Sequence, residues 1–443
     1  MPIQPSSYKE AIRYLYNLET YGIRLGLKRV TALLNSLDNP QNKLSIIHIG
    51  GTNGKGSTSA MIASILQKSG YKVGLYTSPH LNKFNERIRV NGRAITDRRI
   101  VFLVKKIRSI AERQNIELTF FEFTTAMAFL YFAEEEVEIA VIEVGLGGRL
   151  DATNVCKPIV SVITNITKDH EAQLGDKISD IAFEKAGIIK NNGILISAET
   201  KPVALRVLRS ECKKKRAEFY RINEDFFVYN NLSFKKGEVG SSFTFKGRRW
   251  FLKKLNTRLL GRHQYINAAC ALASLEVLAE EGYEILEYAI RKGFQDVFWP
   301  GRLEVVSEKP LVVLDSAHNP AGADILSEAL QSEFNYKRLF LVVGIMKDKD
   351  IKGILSRLLP LAHTAILTQP QIKRAASLML LDKYVRPYSK KVKLINNVED
   401  ACRTALSMSS AADMVCITGS IFTVGEARRF LLRVRTGRTR DEK

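Results

Sequence analysis

The stretch 48–58, which reads HIGGTNGKGST, contains the residue types that bind the phosphates of a nucleotide. Its glycines let backbone N–H groups approach an anion, and the side chain of Lys55 can reach the outer phosphates. The match to the common G-x-x-x-x-G-K-S/T pattern is imperfect, because Ile49 stands at its first glycine and Gly56 separates Lys55 from Ser57. A chance glycine-rich loop is the alternative. An apolar run before the loop and helical spacing after it favour a nucleotide-binding loop.

Acidic residues end two of the predicted strands. Glu143 lies near the end of the apolar run 138–144, and Asp315 ends the run 311–315 just before Ser-Ala-His-Asn-Pro. In open α/β sheets, ligands bind beyond the carboxyl ends of the strands. Glu143 therefore lies where a Mg²⁺ ligand or an acid that positions a nucleophile is needed. An exposed glutamate at a strand end is the alternative, and Glu143 alone does not exclude it.

Apolar, β-branched runs alternate with segments of helical spacing along most of the chain. This succession is typical of an α/β fold with a doubly wound parallel sheet. Between about 226 and 255, short alternating runs are separated by Asn-Asn and Lys-Gly turns, which predicts antiparallel hairpins. Predicted strands lie at 44–49, 72–77, 138–144, 159–163, 193–197, 311–315, 338–344, 364–368, 392–395 and 414–418. Helical segments include 7–36, 97–113, 177–187, 203–215 and 262–281.

A turn-rich break at 298–302, which reads FWPGR, is the predicted domain boundary. We expect a P-loop-type doubly wound domain over 1–297 with a small antiparallel β insertion. A smaller, Rossmann-like α/β domain is expected over 298–443. Ligands often bind at domain interfaces, so we expect the ligand to lie between the two domains.

The composition limits the compartment and the class of partner. The 443 residues carry a net charge of +21 that is spread along the chain, which favours small polyanions over a nucleic-acid groove. Five cysteines form no C-x-x-C pair, which argues for reduced thiols and against a zinc site. The sequence shows no signal peptide and no apolar run of the ~20 residues that span a membrane. We expect a cytoplasmic monomer without a nucleic-acid or membrane partner.

Taken together, these motifs resemble the Mur ligase superfamily and, within it, folylpolyglutamate synthase and dihydrofolate synthase. The matching blocks span most of the chain in the family's order, and the unusual glycine loop is the family's own form. The blocks are HIGGTNGKGST (48–58), SPHL (78–81), NERIRVNG (85–92), FEFTTAMAF (121–129), EVGLGGRLDATN (143–154), TNITKDH (164–170), IAFEKAGIIK (181–190), LLGRHQYINAACA (259–271), WPGRLE (299–304), LDSAHNP (314–320), GIMKDKD (344–350) and TGS (418–420).

The resemblance implies an ATP-dependent amide ligase. ATP would phosphorylate a carboxylate of the acceptor, and the amino group of L-glutamate would then displace the phosphate from this acyl phosphate. A carboxylate alone is a poor electrophile, so phosphorylation supplies a leaving group. The protein's task is then mainly positioning and charge neutralisation.

The resemblance also assigns roles to individual residues. Lys185 matches the lysine that carries a carbamate in the family, with an ordinary lysine at a helix end as the alternative. His318 matches a histidine near the glutamate site or the γ-phosphate. Two Mg²⁺ ions are implied, with Ser57, Ser78, Glu143 and His170 as ligands, and the catalytic set is Lys55, Lys185, His170 and His318. The ATP contacts implied are Gly51, Thr52, Asn53, Gly54, Lys55, Gly56, Ser57, Thr58, Asn267, Arg302 and Asp315.

The assignment of the acceptor depends on a short stretch and two aromatic residues. The stretch 149–154 resembles the form found in bifunctional bacterial enzymes, where the aspartate, here Asp151, contacts the pterin. Phe121 and Phe123 are the candidate aromatic faces, although such a pair is more often part of a core. The acceptors implied are dihydropteroate and reduced folates. The alternatives are a monofunctional folylpolyglutamate synthase and another Mur-type amino-acid ligase. A P-loop nucleic-acid-binding NTPase is the candidate from a different class.

Overall fold

The computed structural model describes residues 5–230, 242–385, 388 and 391–435. These residues fall into two compact units. The first contains residues up to 230 together with 242–256 and 265–297, and the second contains 257–264 and the described residues from 298 onward. Each unit is built around its own sheet.

The first unit contains an eight-stranded sheet that is mostly parallel. Its strands are β1 (Ser45–Gly50), β2 (Val73–Tyr76), β3 (Ile88–Val90), β4 (Arg93–Ala94), β5 (Ile139–Glu143), β6 (Val160–Ile163), β7 (Ile194–Ser197) and β8 (Glu218–Arg221). They are arranged in the order β4-β3-β2-β5-β1-β6-β7-β8, and only the β2–β3 and β3–β4 pairs are antiparallel. The carboxyl ends of β2, β5, β1 and β6 therefore lie side by side at one edge of the sheet.

A separate antiparallel sheet interrupts the first unit. It consists of β9 (Phe227–Asn230), β10 (Ser242–Lys246) and β11 (Phe251–Asn256), in the order β11-β10-β9. The antiparallel strands predicted between 226 and 255 are confirmed. The predicted turn at Asn230-Asn231 extends outside the described residues.

Helices cover both faces of the large sheet. They are α1 (Tyr8–Asn17), α2 (Lys28–Asn35), α3 (Lys55–Lys68), α4 (Asp97–Arg113), α5 (Phe120–Glu134), α6 (Glu171–Leu174), α7 (Ile178–Ala186), α8 (Pro202–Lys215), α9 (His263–Glu280) and α10 (Glu287–Asp296). One hydrophobic cluster joins α1, α2, α4 and α5 to the sheet, and another joins α7 and α8 to it. The predicted helix over 7–36 is interrupted by a 3₁₀ turn at Leu18–Tyr21 and the segment that follows it.

Helix α5 forms the centre of the first cluster. It is apolar on all sides, as expected of a helix that is buried all round. Thr119 caps its N-terminus by accepting from the Glu122 N–H, and the Glu122 carboxylate accepts from the Thr119 N–H at 2.8 Å. This capping box fixes where the helix begins.

The second unit contains a six-stranded sheet. Its strands are β12 (Glu304–Glu308), β13 (Leu311–Leu314), β14 (Leu339–Val343), β15 (Thr364–Thr368), β16 (Val392–Ile395) and β17 (Met414–Thr418), in the order β12-β13-β17-β14-β15-β16. Its helices are α11 (Pro320–Ser332), α12 (Ile351–Leu358), α13 (Leu378–Val385), α14 (Val398–Met408) and α15 (Ile421–Arg435). The five predicted strands are present, and the antiparallel edge strand β12 was not predicted.

The predicted fold class is therefore confirmed, with a doubly wound parallel sheet, a small antiparallel insertion and a second, smaller α/β unit. Within the described ranges, no helix has the length and apolar character needed to cross a membrane.

Candidate active site

The phosphate loop connects β1 to α3 and is sterically tight. Gly51 and Gly54 both have positive φ values, 138° and 86°. A Cβ atom at Gly51 would collide with the Thr164 side chain, and one at Gly54 would collide with the Asn267 carboxamide. Only glycine fits this backbone at these two positions. The same contact brings Asn267, a predicted ATP residue, against the loop.

The segment after β6 holds the loop in place. Asn165 accepts from the Thr52 N–H through its main-chain oxygen at 2.8 Å and from the Asn53 N–H through Oδ1 at 3.0 Å. The Thr164 hydroxyl donates to the main-chain oxygen of Asn53 at 2.6 Å. The N–H groups that start a helix have no carbonyl partners within it, and they carry partial positive charge. The start of α3, at Lys55, is therefore suited to a phosphate group.

Two lysine side chains meet at the loop. Lys55 Nζ donates to the main-chain oxygens of Gly51 and Thr52, each at 3.1 Å, and Lys185 Nζ donates to that of Gly51 at 2.9 Å. Burial on α7, followed by the charge of Lys55, lowers the pKa of Lys185 to about 7, although Asp169 acts in the opposite direction. A substantial fraction of the Lys185 amine is therefore neutral near pH 7, and a neutral amine is nucleophilic.

Two of the predicted metal ligands lie in contact. The Ser78 N–H donates to Glu143 Oε2 at 3.1 Å, and Glu143 is 5% exposed at the end of β5. Ser57 is buried in the first turn of α3. His170 precedes α6 with a φ of 53°, and its Nε2 lies 3.9 Å from Asp169 Oδ1.

The donor set of this site is unusual but suits a hard cation. Among the described residues, no group of three or more His, Cys, Asp or Glu side chains is placed to hold a metal. The predicted set contains only Glu143 and His170 of these types, together with the hydroxyls of Ser57 and Ser78. Carboxylate and hydroxyl oxygens suit Mg²⁺, which also keeps several waters and binds substrate phosphates. The oxygen donors therefore fit Mg²⁺, and the imidazole is the exception.

The predicted acceptor residues separate into two groups. Phe121 packs its ring against Gly145, where a Cβ atom would collide with it. Phe123 is completely buried and packs edge-on against Tyr14, with 5.6 Å between the ring centroids. Residues two apart on a helix do not share a face, so the two rings cannot line one pocket. The structure places Phe123 in the core.

Asp151 is held by the loop that carries it. Its Oδ2 accepts from the Leu146 N–H at 2.8 Å, and its Oδ1 accepts from the Thr153 N–H at 3.0 Å and the Thr153 hydroxyl at 2.5 Å. Burial raises the pKa of Asp151, while these hydrogen bonds oppose the increase. The residue is 4% exposed, so its orientation is set by these donors.

The structure also contains a buried cation to which no role was assigned from the motifs. Arg87 is 8% exposed, and its Nε donates to His80 Nδ1 at 2.9 Å. Its guanidinium lies 5.1 Å from the centroid of the Phe120 ring. Burial lowers the pKa of Arg87, whereas the charge of nearby Glu143 acts to raise it. His80 and Arg87 lie in two adjacent motif blocks, 78–81 and 85–92. Their position in these blocks was the signal in the sequence that could have identified them as site residues.

In the second unit, three predicted residues come together after β13. Asp315 is 8% exposed and accepts from the Leu303 N–H at 3.0 Å and the Ala317 N–H at 2.9 Å. Burial raises the pKa of Asp315, and the charges of Arg302 and His318 oppose this. His318 Nδ1 lies 3.0 Å from the Ser316 carbonyl oxygen, to which it donates, so Nε2 is the acceptor in the neutral ring.

Comparison with known families agrees with this architecture. The sequence matches the Mur ligase middle domain over residues 49–275 and the Mur ligase glutamate ligase domain over residues 301–421. The dihydrofolate synthase/folylpolyglutamate synthase of Bacillus subtilis (strain 168) is 36% identical over 432 residues, covering 96% of this chain and 99% of that protein. The folylpolyglutamate synthase of Lacticaseibacillus casei is 34% identical, with coverage of 96% and 99%. The chain is thus built as a Mur ligase.

Comparison with solved structures indicates the family within the Mur ligases. Mycobacterium tuberculosis folylpolyglutamate synthase, complexed with ADP and AMPPCP, is 33% identical with a TM-score of 0.89, covering 96% of this chain and 99% of that one. E. coli FolC in complex with DHPP and ADP is 32% identical with a TM-score of 0.88, covering 98% and 100%. The chain belongs to the dihydrofolate synthase/folylpolyglutamate synthase family, and the resemblance inferred from the motifs is confirmed.

Proposed function

We propose that the chain joins L-glutamate, through an amide bond, to dihydropteroate and to the glutamate tail of reduced folates, with cleavage of ATP to ADP and phosphate. The arrangement of Lys55 and Lys185 around the Gly51 carbonyl is the observation that carries this proposal. The phosphate loop with Lys55 lies beside a second lysine, Lys185, whose pKa is lowered. An acyl-phosphate ligase of this family requires both features. The nucleotides and DHPP in the related structures support it.

The reaction divides into two steps. The acceptor carboxylate attacks the γ-phosphorus of ATP, which forms the acyl phosphate and releases ADP. The neutral amine of glutamate then attacks the acyl carbon, and the tetrahedral intermediate expels phosphate as the amine loses a proton. The start of α3 and Lys55 bind the triphosphate and neutralise its charge. We assign Asn267, Arg302 and Asp315 to ATP as well, and His318 to the γ-phosphate or glutamate.

The site would hold Mg²⁺ through Ser57, Ser78, Glu143 and His170. Bound Mg²⁺ neutralises charge on the phosphates. The contribution of the chain is to place the Glu143 carboxylate beside the Ser78 backbone at neighbouring strand ends.

Lys185 is proposed to carry a carbamate. Its neutral amine adds to the carbon of CO₂ and loses a proton, so a cation becomes an anion. The two ammonium groups that share the Gly51 carbonyl would then become a pair of opposite charges. Such a pair is favourable in a buried site, where like charges are costly.

On the acceptor side, Asp151 and Phe121 are proposed to contact the pterin, while Phe123 lies in the core against Tyr14. Arg87 is a candidate partner for a carboxylate of the acceptor, because it is a buried cation near Glu143. A monofunctional folylpolyglutamate synthase is the second candidate. The L. casei relative, which carries only that name, is the observation in its favour.

We also propose a monomer whose domain boundary in the sequence lies near residue 298. A reducing, cytoplasmic compartment suits five cysteines that are all buried and unpaired by disulfides. The test of function is mass spectrometry of the products formed from Mg-ATP, L-glutamate and dihydropteroate. We expect dihydropteroate to gain one glutamyl residue. The absence of any glutamylated product from either acceptor, dihydropteroate or tetrahydrofolate, would overturn the proposal.

A further inference from the structure

A chain of three side chains connects β1 to the loop that carries Asp151. His48 lies on β1, three residues before Gly51, and has no solvent exposure. Its Nε2 is 2.8 Å from the Thr153 hydroxyl, and that hydroxyl is 2.5 Å from Asp151 Oδ1. His48 is thus linked to Asp151 by hydrogen bonds through Thr153, and it lies on the strand that leads into the phosphate loop.

The direction of each hydrogen bond follows from the donors available. The Asp151 carboxyl group accepts from three donors, which are the Leu146 N–H, the Thr153 N–H and the Thr153 hydroxyl. The single hydroxyl proton of Thr153 is therefore used on Asp151. The hydroxyl must then accept from His48, which fixes the neutral Nε2–H tautomer of the imidazole. Burial lowers the pKa of His48 to about 3, so the ring stays neutral at physiological pH.

The two ring nitrogens of His48 differ in their hydrogen bonding. Its Nδ1 is buried, and no described residue forms a hydrogen bond with it. An apolar residue would fill the volume of the ring equally well, so packing alone does not explain a histidine here. A buried polar group without a partner is costly. The Nε2–H group is the part of the ring that has a partner, the Thr153 hydroxyl.

The rest of the loop is anchored without His48. Lys190 Nζ donates to the main-chain oxygen and the Oδ1 of Asn154, both at 2.8 Å. Asn154 Nδ2 donates to the main-chain oxygens of Arg149 and Gly187 at 3.0 and 3.1 Å. Because these bonds hold the backbone around Asp151, loss of the His48 contact leaves the loop in place. Loss of that contact frees the Thr153 hydroxyl from the imidazole.

We propose that His48 and Thr153 are positioning residues for the acceptor, which hold the Asp151 carboxylate in the orientation that accepts N–H donors of a heteroaromatic ring. This rests on the proposed function, in which Asp151 contacts a pterin. His48 itself touches no substrate. It acts through the Thr153 hydroxyl, which adds a third donor to the Leu146 and Thr153 N–H groups that hold the carboxylate and so narrows the orientations open to it.

The test uses two pairs of variants. Thr153→Val removes the hydroxyl and keeps the shape, whereas Thr153→Ser keeps the hydroxyl. His48→Leu removes the donor, whereas His48→Gln carries an amide N–H group near the position of Nε2. Thr153→Val removes a direct donor to the Asp151 carboxyl group, so we expect it to raise the KM for dihydropteroate about tenfold. His48→Leu removes only the donor to the Thr153 hydroxyl, so we expect a smaller increase in the same KM. The KM for ATP should change by about twofold or less, and the Ser and Gln variants should recover most of the acceptor affinity.

Three outcomes would overturn the proposal. They are an unchanged KM for dihydropteroate in a folded Thr153→Val variant, equal increases in the KM values for ATP and glutamate, and no recovery in either conservative variant. Turnover of dihydropteroate by the unmodified chain is measured first. If neither dihydropteroate nor tetrahydrofolate is turned over, the proposed function fails. If only tetrahydrofolate is turned over, the KM comparison is made with tetrahydrofolate. If an acceptor is turned over and the variants behave like the unmodified chain, only the positioning role fails.

A measurement on the unmodified chain does not depend on whether the variants fold. With ¹⁵N-labelled histidine, the nitrogen chemical shifts report the tautomer of each ring. The His48 ring, identified as the signal that His48→Gln lacks, should remain neutral with its proton on Nε2 between about pH 5 and 8, and its resonance should shift when dihydropteroate is added. The arrangement would be contradicted if every histidine ring titrated in that interval. It would also be contradicted if no neutral Nε2–H signal were present in the unmodified chain and missing from His48→Gln.

Discussion

Lys55 and Lys185 donate to one carbonyl oxygen, that of Gly51, at 3.1 and 2.9 Å. Two like charges at one acceptor in a buried site repel each other, and the pKa of Lys185 is lowered to about 7, first by burial and then by Lys55. The pair therefore favours loss of charge from Lys185. This electrostatic relationship links the nucleotide loop to the chemistry proposed for Lys185.

The first prediction concerns CO₂. Since the pKa of Lys185 is lowered, its amine is protonated below about pH 7 and neutral above it, and only the neutral form adds to CO₂. We expect the ligase rate to fall in CO₂-depleted buffer and to return when bicarbonate is added at about pH 8. Labelling with ¹³CO₂ should give a carbamate signal that is missing in Lys185→Met. Full activity without CO₂, or in Lys185→Met, would argue against the carbamate.

The second prediction concerns Lys55. Lys55→Ala removes the cation at the start of α3, and we expect the rate of ADP formation to fall about a hundredfold or more. Lys68→Ala is the matched control, because Lys68 ends the same helix and pairs with Asp296 at the surface. Circular dichroism should show that both variants fold. Equal activity of the two variants would contradict the assignment of the loop.

The third prediction concerns Glu143. Glu143→Gln removes the charge but keeps a carbonyl oxygen that can accept from the Ser78 N–H, so the fold should persist. We expect the variant to lose most activity and to need more Mg²⁺ for what remains. Glu138→Gln is the control, since Glu138 also accepts from a backbone N–H, that of Lys72 at 2.7 Å. Unchanged Mg²⁺ dependence in Glu143→Gln would remove this residue from the metal site.

The fourth prediction concerns the tightness of the loop. Gly54→Ala would push a methyl group into the Asn267 carboxamide, so we expect nucleotide affinity to fall about tenfold or more. Gly70→Ala separates strain from collision, because Gly70 also has a positive φ but its Cβ would meet open space. The double variant Gly54→Ala, Asn267→Gly removes the collision together with the Asn267 carboxamide. It should bind ADP more tightly than the single variant Gly54→Ala only if that carboxamide contributes little to ADP binding. Isothermal titration with ADP measures each case, and unchanged affinity in Gly54→Ala would contradict the steric account.

Much of the architecture could be predicted because the strands that carry the site are buried and nearly all apolar. β5 and β14 are continuous apolar runs of this kind, and each was predicted. The edge strands β8 and β12 were missed, since their polar residues and partial exposure leave no clear apolar period. The edge strand β16 was predicted, but β8 and β12 are recognised by their pairing, which is a tertiary property.

The site was predictable to the extent that its residues follow strand ends. Glu143 and Ser78 follow neighbouring strands, so their contact agrees with the sequence reasoning. Phe123 could have been separated from Phe121 by helical period alone, since residues two apart face different ways. The His48 contact with Thr153 could not be predicted, because the two residues are 105 positions apart and join through packing of β1 against a distant loop.

The most direct test of the central claim is ADP release with Mg-ATP and L-glutamate, measured with dihydropteroate and with tetrahydrofolate as separate acceptors. A related enzyme known to be active serves as the control. We expect acceptor-dependent ADP release with both. Release with one acceptor alone would restrict the chain to a single activity. Release with neither, beside an active control, would contradict the assignment of this chain as a folate–glutamate ligase.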